Sequence, residues 1–145
     1  MSLKKLKEDL TFGLWAEKKV KEMFESIWFE VISTSLTDLL DFQLKKDNIT
    51  YHCELKTRRF EKDKYPTTLI WANKIAEAYK RYYYSWEQTL FLFWFTDWLY
   101  WLNPFKVSPH EIEYKKFRWD RGDIDKPKWW FLYHINDLTL FYNNK

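Results

Sequence analysis

Cysteine is nearly absent from this chain: Cys53 is the only one among 145 residues, so no disulfide can form within the chain. A lone thiol is typical of a reducing, intracellular compartment. The lysine-rich N-terminus lacks the apolar stretch of a signal peptide, and no run approaches the roughly 18 apolar residues of a membrane span. With only two glycines there is no glycine-rich phosphate loop. The sequence therefore predicts an intracellular protein with no membrane contact and no P-loop.

Aromatic residues are plentiful instead, at 22% of the chain with ten Trp. Most should fill one core, which a single domain of 145 residues is long enough to build. A few are candidates for stacking on splayed nucleic-acid bases. The net charge of +3 is too small to indicate a nucleic-acid partner by itself. The charge distribution is more informative, because basic residues outnumber nearby acids in the first half of the chain.

The clearest local pattern is a predicted β-hairpin. Residues 39–44 and 49–56 each alternate between apolar and polar side chains, as half-buried strands do. Asp47 and Asn48 between them tolerate the positive φ of a tight loop. The polar face of the second strand then carries four side chains: Thr50, His52, Glu54 and Lys56.

Two registers of this hairpin remain open. A loop at residues 47–48 places Asp41 opposite Glu54, whereas a loop at residues 46–47 places Asp41 opposite His52 and one diagonal step from Glu54. Either register brings the two carboxylates within the roughly 5–8 Å that separates direct and diagonal cross-strand neighbours. Both therefore predict a pair of acidic groups on one surface.

Two carboxylates this close repel each other unless a cation or a shared proton relieves them. Mg²⁺ prefers such oxygen ligands and retains waters, and Mn²⁺ is expected to substitute for it. Lys56 lies on the same face and could hold an attacking water or offset charge in a phosphoryl transition state. The alternative is a solvated hairpin face with cross-strand ion pairs.

Asp41 followed by Glu54-Leu55-Lys56 resembles the motif of the PD-(D/E)XK nuclease superfamily, which includes restriction endonucleases and Holliday-junction resolvases. That motif is an Asp opening one strand and (Asp/Glu)-x-Lys on the next, commonly after a helix bearing a further Glu. Similar triplets occur at residues 17–19 and 113–115, but neither follows an Asp-bearing strand. Leu40 stands where the family has its Pro.

The resemblance implies a metal-dependent endonuclease acting on DNA. It assigns four residues to the metal and the attacking water: Asp41, Glu54, the carbonyl of Leu55, and Lys56. Glu17 would be an auxiliary ligand or water-orienting base, although a boundary glutamate paired with a nearby lysine is an alternative. Asp38 is a rival for the role of Asp41.

Basic residues that follow the second strand are candidates for phosphate contacts, for which guanidinium groups are well suited. They are Arg58, Arg59, Lys62, Lys64 and Lys74. Lys74 also resembles the additional lysine that some superfamily members place beside the metal. A solvated charged loop, and a plain surface position for Lys74, are the alternatives.

The remaining patterns predict an α/β fold. The expected elements are a helix over 3–27 with a break near Gly13, a strand over 28–32, a helix from Thr67 or Thr68 to about Trp86, strands over 89–95 and 98–102, a helix over 109–117, and strands over 129–135 and 138–142. This order resembles a restriction-endonuclease-like core, a mixed central β-sheet flanked by helices, over about residues 9–102. The aromatic-rich C-terminal extension, residues 103–145, would carry specificity or an oligomer contact, which leaves a homodimer open. Two other functions also stay open: a nucleic-acid-binding module without turnover, and an aromatic-rich protein-interaction domain.

Overall fold

The computed structural model describes residues 2–34, 39–115 and 127–141. These residues form two helices, nine strands and two short 3-10 turns. The helices are α1 (Leu3–Glu25) and α2 (Ala72–Ser85); the strands are β1 (Glu30–Ser33), β2 (Phe42–Lys46), β3 (Ile49–Thr57), β4 (Thr67–Trp71), β5 (Gln88–Trp94), β6 (Leu99–Leu102), β7 (Glu111–Lys115), β8 (Lys128–His134) and β9 (Thr139–Leu140); the turns are Lys62–Lys64 and Ile135–Asp137.

The main sheet has six strands in the order β1-β2-β3-β5-β6-β9. Only β3 and β5 run parallel, with Tyr51 opposite Gln88 and Thr57 opposite Trp94, while the other neighbours within this sheet are antiparallel. A parallel pair needs a crossover connection, and the segment that contains β4 and α2 supplies it. The sheet is therefore mixed, as the sequence predicts.

Apolar side chains cover both faces of the central strands. On one face, Val20 and Phe24 of α1 pack in a buried cluster with Phe42 and Leu92. On the other face, Ile75 and Ala78 of α2 belong to a second cluster that includes Phe91 and Phe93. This two-sided burial explains the nearly continuous apolar run of β5.

Helix α1 begins after Ser2, whose hydroxyl accepts from the Lys5 backbone N–H, and it runs through Gly13 without the predicted break. One glycine costs a helix about 1 kcal/mol relative to alanine. The packing of the apolar stripe around Val20 outweighs that cost. Strand β1 begins at Glu30, two residues later than predicted, after a turn in which Trp28 has a φ of 74°.

The predicted helix start at Thr67 is wrong. Residues 67–71 form β4, which pairs with β8 and places Leu69 opposite Leu132, and α2 begins only at Ala72. The Thr-Thr-Leu-Ile-Trp run is rich in β-branched and aromatic residues, which favour strands. Its partner β8 lies about sixty residues later in the chain, so no local pattern indicates the pairing. The helical periodicity of the residues that form α2 therefore led to a predicted helix that began too early.

The predicted helix over 109–117 is also wrong. Residues 111–115 form β7, which pairs with β8 and places Ile112 opposite Phe131. The Ser-Pro-x-Glu start signal at residue 108 is therefore overridden by a pairing that only the tertiary fold provides.

The segment from residue 103 onward contributes to both sheets. β8 is the middle strand of a second, three-stranded sheet ordered β4-β8-β7, and β9 pairs with β6 at the edge of the main sheet. Tyr133 and Leu138 are buried with Phe91 and Phe93 in the α2-side cluster. The predicted division into a core and an extension remains a prediction, although the described strands of the extension are packed on that core. No helix among the described residues is both long and apolar enough to cross a bilayer.

Candidate active site

The hairpin of β2 and β3 adopts the first of the two predicted registers. Asp47 and Asn48 have φ values of 53° and 66°, and Lys46 lies opposite Ile49. Asp41 directly precedes β2, and its backbone N–H donates to the Cys53 carbonyl over 2.8 Å. The alternative with a loop at residues 46–47 is wrong, because the two adjacent positive φ values select residues 47–48 as the tight turn.

The carboxylate of Asp41 takes the place of a missing strand partner. Because β2 begins at Phe42, which pairs with Cys53, the next N–H along that edge of β3, at Leu55, lies beyond the paired residues of β2. Asp41 Oδ2 accepts this N–H over 2.7 Å. Within a strand the N–H and C=O of a residue point to the same side, so the Leu55 carbonyl also points toward Asp41. The Thr34 hydroxyl donates to the Asp41 backbone carbonyl at 2.8 Å and completes the anchoring of this residue.

Glu54 is buried, with 3% of its surface exposed. Its Oε1 lies 3.0 Å from Lys56 Nζ and 3.5 Å from Lys74 Nζ. Its Oε2 is buried and has no hydrogen-bond partner among the described residues. Burial raises the pKa of Glu54 above the ordinary value; the positive charge of Lys56 opposes this shift, the negative charge of Asp41 adds to it, and Lys74 opposes it.

Two lysines from different elements therefore meet at one carboxylate. Lys56 comes from β3 and remains one-third exposed, whereas Lys74 comes from the first turn of α2 and is 15% exposed. Lys74 also donates to the Leu39 carbonyl oxygen. The contact with Glu54 places Lys74 beside that carboxylate, and the role that the family resemblance implies for it remains a prediction. Its contact with DNA remains a prediction.

Glu17 is held on α1 by an ion pair with Lys21 at 3.7 Å, and Lys21 in turn donates to the Ser33 hydroxyl at 3.1 Å. Neither Asp41 nor Glu54 is among the partners described for Glu17. This placement matches the alternative of a boundary glutamate paired with a lysine, and the catalytic role of Glu17 remains a prediction. Asp38, the rival of Asp41, lies outside the described residues.

The acidic groups can be tested for their fit to a metal ion. Among the described residues no group of three or more His, Cys, Asp or Glu side chains is placed to hold one. Mg²⁺, however, needs only one or two carboxylates because it keeps several waters. The unpartnered Glu54 Oε2, the neighbouring Asp41 carboxylate and the Leu55 carbonyl supply hard oxygens of that kind. These residues therefore fit a hydrated divalent cation.

By sequence, no protein-family model and no curated protein matches the chain. By structure, the chain is similar to Hjc of Archaeoglobus fulgidus, a Holliday junction resolvase from an archaeal hyperthermophile. The TM-score is 0.53 at 8% sequence identity, over 65% of this chain and 80% of that chain. The chain has a resolvase-like fold. The predicted restriction-endonuclease-like architecture and the resemblance to the PD-(D/E)XK superfamily are thereby confirmed at the level of the fold.

A polar network fixes α2 on the resolvase-like sheet, and sequence reasoning missed it. The buried His52 lies on β3 with its Nε2 at 3.0 Å from Glu87 Oε1 and its Nδ1 at 2.7 Å from the Arg81 guanidinium. Because a guanidinium only donates, Nδ1 accepts and the ring proton is on Nε2, facing Glu87. Arg81 also donates to Glu77 at 2.9 Å. The four-residue spacing of Glu77 and Arg81 was the available signal, but their contact with His52 depends on the tertiary fold.

The basic residues after β3 lie against aromatic rings. Arg58 continues the pairing of β3 with β5 through an N–H donated to the Trp94 carbonyl at 2.8 Å. The cation-to-ring distances are 5.9 Å for Arg58 and Phe93, 4.8 Å for Arg59 and Phe12, 5.1 Å for Lys62 and Tyr100, and 5.7 Å for Lys64 and Phe60. These contacts orient the cations near the end of β3. Their use in binding DNA remains a prediction.

Proposed function

We propose that this chain is a nuclease that hydrolyses DNA phosphodiester bonds with a divalent cation, Mg²⁺ by preference and Mn²⁺ as a substitute. The observation that carries the proposal is the convergence of Asp41, Glu54 and Lys56 at the end of β3, with one buried Glu54 oxygen left unpartnered. The resolvase-like fold supports the assignment to nucleic-acid hydrolysis.

The arrangement divides the binding and the chemistry between different residues. Asp41 and Glu54 would hold the cation, with the Leu55 carbonyl as a further oxygen. A bound cation would supply charge neutralisation and polarisation at the scissile phosphate. Lys56, one-third exposed and 3.0 Å from Glu54, is placed to orient the attacking water and offset charge in the transition state.

Lys74 would stabilise the buried Glu54 carboxylate and so keep it available as a metal ligand. An uncompensated buried carboxylate is costly, and two ammonium groups on Oε1 offset that cost while leaving Oε2 for the cation. Burial raises the pKa of Glu54, and a cation competes with a proton for its carboxylate. Metal affinity should therefore increase with pH.

The first test is a melting experiment with increasing Mg²⁺ or Mn²⁺. A cation that binds the native state raises the melting temperature, whereas a protein-interaction domain without a metal site gives no shift. The second test incubates the protein and Mg²⁺ with duplex, single-stranded, flapped and four-way DNA. A metal-dependent melting shift with no cleavage of any of these substrates would favour a binding module without turnover.

A further inference from the structure

A group of aromatic side chains lies next to the residues that follow Lys56. Trp15 of α1 packs edge-on against Trp94 at 6.2 Å between ring centroids, and Phe12 lies 5.9 Å from Trp15. The Arg59 guanidinium lies 4.8 Å from the centre of the Phe12 ring. We call these four residues, Phe12, Trp15, Trp94 and Arg59, the Trp15 platform.

The Trp15 ring of the platform is open to solvent, unlike the core rings of the protein, while Phe12 and Trp94 are half-buried. Trp15 is 49% exposed, whereas Phe42, Phe91 and Phe93 are fully buried. Gly13 lies between Phe12 and Leu14, and a Cβ added there would meet no atom within 4 Å. Packing among the described residues therefore does not require a glycine at this position.

The Trp15 platform is continuous with the candidate active site through the sheet. Trp94 lies opposite Thr57, the residue after Lys56, and its carbonyl accepts the Arg58 N–H. Successive side chains of a strand point to opposite faces. Lys56 therefore lies on the α2 face, and Trp94 lies on the α1 face one position further along.

A ligand that reaches both must pass around the end of β3. A polyanion suits this path, because Arg58 and Arg59 follow Lys56 directly. A continuous duplex is too stiff to turn so sharply, since its persistence length is about 150 base pairs. A single strand with unstacked bases can follow the turn and place one base on an exposed ring.

We propose that the Trp15 platform stacks an unpaired base of the DNA strand whose phosphate lies at Glu54 and Lys56. This inference rests on the proposed nuclease function and narrows its substrate to DNA with unpaired nucleotides beside the scissile bond. Stacking on tryptophan is tolerant of base identity because every base has a π-face. Arg59 adds a cation to the same surface. The platform selects for strand structure and not for sequence.

The test measures binding by fluorescence anisotropy in EDTA, so that cleavage does not interfere. The three probes are a fully paired duplex, the same duplex with a three-nucleotide single-stranded flap, and that flap with abasic residues. The parent protein should bind the normal flap about 5- to 100-fold more tightly than either other probe, as expected for one stacked base. This arm needs no variant and so does not depend on the folding of one.

Trp15→Ala should bring the affinity for the normal flap down to that for the abasic flap, and Trp15→Phe should retain part of the preference. The matched control is Trp129→Ala, since Trp129 is 55% exposed and lies 5.3 Å from the Tyr114 ring. This control should preserve the flap preference. Melting curves establish that each variant is folded.

Equal binding of normal and abasic flaps by the parent protein would overturn the proposal. So would a dimer in sedimentation that Trp15→Ala dissociates, because the platform would then be covered by a second copy. Cleavage is scored separately with Mg²⁺. A flap preference without any cleavage would support base stacking on the Trp15 platform and refute the nuclease function. Cleavage without a Trp15-dependent preference would support the nuclease function and refute base stacking on the platform.

Discussion

Asp41 and Leu55 are joined by a 2.7 Å hydrogen bond in which a carboxylate oxygen accepts a strand N–H that β2 leaves unpaired. The bond fixes the carboxylate at the edge of β3, one residue away from the buried Glu54. The Leu55 carbonyl points to the same side, because the N–H and C=O of a strand residue share one edge. The shortness of β2 is thus what allows Asp41 to be both part of the sheet and a candidate metal ligand.

Lys56→Ala should slow cleavage strongly while metal binding survives, because the ammonium serves the attacking water and not the cation. Loss of a transition-state contact of about 2–4 kcal/mol corresponds to a roughly 30- to 1000-fold lower rate. The control is Lys115→Ala, which breaks a 3.0 Å pair with Glu113 in a triplet of the same spacing. A rate for Lys56→Ala within about tenfold of the parent would contradict the assigned role.

Asp41→Asn should lose both metal affinity and activity. The amide oxygen can still accept the Leu55 N–H, so the fold should persist, and the loss of repulsion with Glu54 should leave the metal-free protein at least as stable. Melting curves with and without Mg²⁺ measure both effects. An unchanged metal-dependent shift would transfer the role to another acid, with Asp38 as the first to be substituted.

Glu54→Gln should flatten the dependence of stability on pH. The folded-state pKa of Glu54 is raised, so its contribution to stability is fully present below the ordinary value of 4.5 and is lost as pH rises through the higher folded value. Urea unfolding at a series of pH values from 4 upward measures this slope. Glu113→Gln is the control and should follow the parent; an equally steep decline in Glu54→Gln would assign the slope to other groups.

Arg58→Gln with Arg59→Gln should lower the salt dependence of duplex binding. Each phosphate neutralised contributes about 0.9 to the slope of log affinity against log salt, so the slope should fall by roughly one to two units. The melting temperature should change little. Lys18→Gln with Lys19→Gln removes the same charge from α1 and should leave the slope unchanged. An unchanged salt slope together with a clear loss of protein stability would mean that the arginines stabilise the fold through their contacts with Phe93 and Phe12.

Arg81→Met should destabilise the protein by about 1–3 kcal/mol, because His52 Nδ1 would be left buried without its donor. It should also slow cleavage, since α2 carries Lys74 to Glu54. Urea unfolding and cleavage rates under strongly stabilising conditions separate the two effects. Lys80→Met, a neighbouring exposed cation on α2, is the control. Normal cleavage by a folded Arg81→Met would show that the network only stabilises the fold.

Local patterns were sufficient wherever neighbouring residues made the decision. The alternation of residues 39–44 and 49–56, together with Asp47 and Asn48, predicted the hairpin and left only two registers. The helix predicted over 3–27 corresponds to α1, whose Val20 and Phe24 lie on its buried face. These features depend on interactions within a few residues, or across one tight turn, and so they are written into short stretches of sequence.

Distant partners decided the rest. β4 and β7 were predicted as parts of helices and became strands because both pair with β8, whose position depends on the folded chain. Lys74 reaches Glu54, and Arg81 reaches His52, only because α2 packs back along β3. Burial of Glu54, with its raised pKa and its unpartnered oxygen, follows from the same packing. By itself the sequence determined which residues could form the acidic pair and placed Lys56 on the same strand face. Tertiary structure decided the contact with Lys74 and the burial that raises the pKa of Glu54, because α2 lies far from that hairpin in the chain.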